Sequence, residues 1–115
     1  MDFREALLRV IGEWEVDPIL DEWVFEKFRQ EVVKRMTSAD AFDAIGPTVD
    51  ILLMQVDEST STELVQTLIG LAAQSNTTEI PSNLSLNVAK IQAQFSNLGP
   101  YAQDKLHELL RKYRF

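Results

Sequence analysis

Phe42-Asp43-Ala44-Ile45-Gly46-Pro47 recurs 53 positions later as Phe95-Ser96-Asn97-Leu98-Gly99-Pro100. In both copies an aromatic and a branched aliphatic residue lie three apart, which puts them on one helical face. Gly then ends a helix and Pro opens the next. The echo predicts one helix–turn–helix manoeuvre made twice. Upstream of the first copy, Ser38 is placed to cap a short helix containing Phe42 and Ile45. Downstream, Pro47 is expected to open a helix over Val49–Val56 that is apolar nearly all round and so buried between others.

The rest of the chain reads the same way. Thr60-Ser61-Thr62-Glu63 fits a capping box, ahead of a helix carrying Leu64, Val65, Leu68, Ile69, Leu71 and Ala72. Gln74–Ser82 is polar, contains Pro81 and reads as the longest loop. Leu84, Val88, Ile91, Phe95 and Leu98 mark the next helix, and Leu106, Leu109, Leu110 and Tyr113 mark the last. At the other end, Asp2 and Glu5 resemble a capping box before the stripe Phe3, Leu7, Val10, Ile11 and Trp14. Asp17-Pro18 restarts the chain as cap and first helical residue, followed by Leu20, Val24, Phe28 and Val32. No segment alternates with period two, so an all-α fold of six or seven short helices without a sheet is predicted.

Ile45-Gly46-Pro47-Thr48-Val49-Asp50-Ile51-Leu52-Leu53, then Asp57, then Leu68-Ile69-Gly70-Leu71-Ala72-Ala73, resembles a HEAT-like repeat. Leu98-Gly99-Pro100-Tyr101-Ala102 through Leu109-Leu110 is similar to the first helix of a further, truncated one. The 53-residue spacing exceeds the usual period of about 40–47, which makes residues 76–83 a loop insertion. The resemblance implies a right-handed helical stack in a single domain. Its parts are an N-terminal helical cap over residues 1–36, a HEAT-like pair over 38–75 and a C-terminal pair over 84–115. It also implies a curved surface that binds proteins and performs no chemistry.

Charge carries the functional signal. The chain has 115 residues and a formal net charge of −7. Residues 36–89 hold seven carboxylates (Asp40, Asp43, Asp50, Asp57, Glu58, Glu63, Glu79) and no Lys or Arg, where average composition would supply about six bases. An unneutralised negative field attracts basic partners and argues against a nucleic-acid backbone. The basic tail Lys105, Arg111, Lys112, Arg114 suits the end of a terminal helix, where cations complement the helix dipole. There is no apolar run of the roughly 20 residues that a membrane span needs. Cysteine is absent, and Met1-Asp2-Phe3-Arg4-Glu5 lacks a leader's basic start, so a cytoplasmic protein is expected.

Catalytic chemistry finds no footing. His107 is the single histidine, and it lies beside Glu108 on the polar side of the last helix. Gly46, Gly70 and Gly99 stand alone, so no phosphate-cradling loop forms, and no metal-binding motif is present. No enzyme, cofactor or metal is expected. Trp14 and Trp23 sit among carboxylates; each reads either as core or as an interface anchor, a role in which Trp is enriched. The acids likewise read either as a solvated face or as a docking surface, and the missing bases favour docking. The candidate partner-binding residues are Trp14, Glu15, Asp17, Asp21, Glu22, Asp43, Asp50, Asp57, Glu58 and Glu63. The expected function is a protein–protein binding module for a basic partner, in its sharpest form an immunity protein that neutralises a bacterial toxin such as a nuclease. Short, acidic, cysteine-free inhibitors of that kind resemble this chain in general type. The alternative is a HEAT-like structural adaptor or a homo-oligomeric scaffold subunit.

Overall fold

The computed structural model describes residues 2–16 and 23–114. They form six α-helices: α1 (Phe3–Val16), α2 (Val24–Glu31), α3 (Ser38–Leu53), α4 (Glu58–Ser75), α5 (Ser82–Phe95) and α6 (Pro100–Lys112), with a 3-10 turn at Val33–Arg35. No strand occurs among the described residues, and the protein is all-α. No helix among them is long and apolar enough to cross a membrane.

The helices pair into three hairpins laid side by side. Asn83, near the start of α5, donates to the Gly46 carbonyl at 2.7 Å, and Gln94, near its end, donates to that of Leu52 at 2.8 Å. Helices α3 and α5 therefore run in the same direction. The start of α1 shares a cleft with Asp40, Ala44 and Pro47 of α3, and its end reaches the start of α4, so α1 runs with them. On the other side, Arg29 of α2 reaches Glu63, and Gln74 donates to the Met36 carbonyl at 2.6 Å. Gly99 touches Glu58, Tyr101 touches Gln66, and Tyr113 shares a cleft with Ala72. Thus α2, α4 and α6 also share one direction. The molecule measures 37 × 34 × 19 Å, its short dimension matching two layers of helices about 10 Å across.

The core fills the space between the layers. Its largest fully buried side chains include Leu7, Phe25, Ile45, Ile51, Leu52, Leu64, Leu68, Ile91 and Phe95. Helix α4 is the central element, packed against α2, the 3-10 turn, α3 and α6. It buries polar residues at little cost because they bond within the helix: Thr62 Oγ1 donates to the Glu58 carbonyl at 2.8 Å and Thr67 Oγ1 to that of Glu63 at 2.9 Å.

Local expectations fail in instructive places. Gly46-Pro47 does not end a helix; α3 runs through it from Ser38 to Leu53. Pro47 removes one N–H from the ladder, while the Thr48 hydroxyl donates to the Ala44 carbonyl at 2.8 Å. Gly99-Pro100 does make the expected break, with Pro100 as first residue of α6. The preceding residues differ: Ala41, Ala44 and Ile45 sustain a helix, whereas Ser96 and Asn97 compete with it through their side chains. Since α3 ends at Leu53, Met54 and Val56 lie outside it and are exposed, Val56 almost completely at 99%. The cap of α3 is Thr37, whose side chain accepts from the Asp40 N–H at 3.1 Å, and not Ser38. The cap of α4 is Asp57, not Thr60, so the expected capping box lies one turn inside the helix. Helix α5 begins at Ser82, so the loop is shorter than the predicted 76–83. The expected restart at Asp17-Pro18 lies outside the described residues.

Candidate functional site: an acidic aromatic cleft

Three of the predicted residues come together. Trp14 at the end of α1 and Glu58 and Glu63 in the first turns of α4 line one cleft of about 210 Å³, with Ser59, Thr62 and Tyr101. Trp14 and Tyr101 stand 87 positions apart in the chain. They meet because α1 ends where α4 begins, and α6 starts beside that same end of α4.

Each wall is held. The Trp14 and Phe25 rings meet in a T-shaped contact, centroids 5.4 Å apart, so the indole touches the core as well as lining the cleft. The Tyr101 hydroxyl accepts from Gln66 Nε2 at 2.8 Å. Glu58 Oε1 accepts the Gly99 N–H at 2.9 Å, which satisfies a donor at the start of α6. Glu63 Oε2 accepts from Arg29 Nη1 at 3.0 Å, and Arg29 reaches toward the Glu63 carbonyl and Thr67 Oγ1 as well. In both carboxylates one oxygen is anchored; the other receives no hydrogen bond from another described residue.

The remaining predicted residues are dispersed. Asp57 is adjacent in sequence but turns its carboxylate to the helix, accepting from the Thr60 N–H at 2.8 Å and the Thr60 hydroxyl at 2.9 Å. Asp50 lies on the seam between α3 and α5, accepting from Asn83 Nδ2 at 3.0 Å. Asp50 and Asp57 therefore do not share a helical face, contrary to their seven-residue spacing. Asp43 lines a separate cleft with Asp2, Phe3, Arg4, Met36, Asp40 and Pro47. Glu15 is exposed beside Trp14. Asp17, Asp21 and Glu22 lie outside the described residues. The acidic middle is thus several local arrangements, of which the Trp14 cleft gathers the most.

Sequence reasoning missed Tyr101. A signal existed: it falls off the apolar stripe Ala102, Leu106, Leu109, Tyr113, and a large aromatic on the polar side of a helix wants a reason. It is 62% exposed. Lys105, one turn on, holds Nζ 5.6 Å from its ring centroid. Among the described residues no group of three or more His, Asp and Glu is placed to hold a metal ion.

No protein-family model, curated protein or solved structure matches this chain. The functional reading rests on the cleft itself. Its two aromatic side chains and two carboxylates are groups that suit a cation, and Arg29 and Lys105 already engage Glu63 and Tyr101.

Proposed function

We propose that this protein is a protein–protein binding module that docks a basic partner on its acidic surface, with the Trp14–Tyr101 cleft as the anchor. The observation that carries the reading is the convergence of Trp14 of α1 with Glu58 and Glu63 of α4 on one open cleft. Aromatic anchors ringed by polar groups dominate interface energetics, and the net charge of −7 steers basic partners toward the surface. The sharpest form is an immunity protein that neutralises a bacterial toxin, a nuclease being the natural basic target. A HEAT-like adaptor is the second reading, favoured by the stacking of like helices on like, since stacked hairpins present extended surfaces to partners.

The test is affinity capture on the intact protein, eluted by a salt gradient, followed by titration of the purified captive. The reading expects one basic protein bound stoichiometrically, with affinity falling steeply as salt rises. Exposed acids outside the fold's hydrogen bonds are the ones to reverse: a D43K/E15K variant should bind more weakly while melting as the parent does. A captive indifferent to both salt and these substitutions would overturn the reading. For the toxin form, stoichiometric inhibition of the captive's nuclease activity is expected, and an uninhibited captive would leave the adaptor.

A further inference from the structure

We infer that the Trp14–Tyr101 cleft is a receptor for one arginine side chain, a step that rests on the binding reading above and names what enters its anchor site. Size sets the first limit. At about 210 Å³ the cleft falls below the roughly 300–1,000 Å³ of small-molecule sites, and suits a single long side chain delivered by a protein.

Chemistry sets the second. Trp14 and Tyr101 supply two aromatic side chains, and Glu58 and Glu63 each offer a carboxylate oxygen not bonded by any other described residue. Ser59 and Thr62 add hydroxyl oxygens at the same helix start. A guanidinium presents five donors in a flat fork and stacks on aromatic faces, so it uses every group on this wall. An ammonium is a compact point charge that would leave acceptors unmatched and stacks less well.

Two further observations are independent of the acid cluster. The chain's own cations already engage these groups: the Arg29 guanidinium is on Glu63, and the Lys105 ammonium is over the Tyr101 ring. The groups also enter the cleft pre-positioned, through Gln66 on Tyr101, Gly99 on Glu58 and Phe25 on Trp14. Ordering costs that a mobile site would pay on binding are thereby reduced.

The experiment is a titration of the intact protein with the peptide acetyl-Gly-Arg-Gly-amide, followed by the two tryptophan indole N–H resonances. Trp14 reports the cleft, and exposed Trp23, which does not line it, is the internal control. The Trp14 resonance should shift saturably while Trp23 stays in place. The lysine peptide should bind several-fold more weakly, and the citrulline peptide, which keeps the shape without the charge, should leave Trp14 unmoved. Glu58→Gln keeps an oxygen for the Gly99 N–H, so the fold is retained, and it should weaken arginine binding about tenfold; Tyr101→Leu should weaken it about threefold to fivefold. Equal shifts from the citrulline peptide, or arginine shifts that spare Trp14, would overturn the inference. If a basic protein still binds in a salt-sensitive way after such a result, the inference alone falls; if arginine enters the cleft but no basic protein binds, the wider reading falls.

Discussion

Arg29 and Glu63 tie α2 to α4: Nη1 stands 3.0 Å from Oε2, with the two side chains only 13% and 22% exposed. A pair this far from water is costly to break on one side, because the surviving charge loses its partner. Arg29→Ala is expected to lower stability by about 1–3 kcal/mol, more than Glu63→Gln, which keeps an acceptor in place. The paired replacement R29M/E63L should recover most of the loss, since apolar groups of similar volume can stand in for a buried ion pair. Urea unfolding of the parent, the two single variants, R29A/E63Q and R29M/E63L measures this, and full additivity of the single changes in R29A/E63Q would show that the pair is uncoupled.

Asp57 begins α4. Its carboxylate takes the Thr60 N–H and hydroxyl together, so Asp57→Ala should cost about 1 kcal/mol and Asp57→Asn much less. The loss should appear as a shift in the denaturation midpoint at constant slope. A negligible effect for alanine would show that the Asp57 side chain contributes little as a cap.

The two prolines of the internal echo should respond in opposite directions. Pro47 interrupts the ladder of α3, so Pro47→Ala restores one N–H donor and is expected to stabilise by about 1–2 kcal/mol, part of the roughly 3 kcal/mol proline penalty being offset by lost ring packing in the Phe3 cleft. Pro100 sits at the first position of α6, where its fixed φ restricts the unfolded chain. Pro100→Ala should therefore destabilise by about 0.5–1 kcal/mol. Thermal melts of the two variants decide it, and matching signs would refute the distinction between the copies.

Tyr113 is 6% exposed, and its hydroxyl has no hydrogen-bond partner among the described residues. Burial raises its pKa above the usual 10.0. Between pH 10 and the folded value the unfolded chain has lost the phenolic proton and the folded chain keeps it, so stability falls as pH rises through that window. Tyr113→Phe removes this buried hydroxyl and should be neutral or stabilising by up to about 2 kcal/mol. Its stability should also decline less between pH 10 and 11 than that of the parent, as read by denaturant unfolding at each pH.

Much of the fold was legible because helical stripes are long and repetitive: Leu84, Ile91 and Phe95 in α5, or Leu106, Leu109 and Leu110 in α6, read the same from sequence and in space. Features that depend on tertiary context were less legible. Gly46-Pro47 looks identical to Gly99-Pro100 on paper, yet neighbouring residues decide which copy breaks. The first 36 residues show no repeat pattern in sequence, but α1 and α2 pack against α3 and α4 in the manner of the later hairpins. For the candidate cleft, Trp14, Glu58 and Glu63 stand out in the sequence by type and charge. Their convergence was not, because it depends on which helix ends become neighbours, and Tyr101 enters only through that geometry.

The cleft draws one residue from the first hairpin, several from the second and one from the third. In a quasi-linear array each unit touches only its neighbours, so end units open first and amide protons there exchange soonest. The proposed receptor, assembled across all three units, would exist only while none has come undone. Its occupant would act as a fastener along the array, slowing hydrogen exchange in α1 and α6 together although the two helices are far apart in the chain.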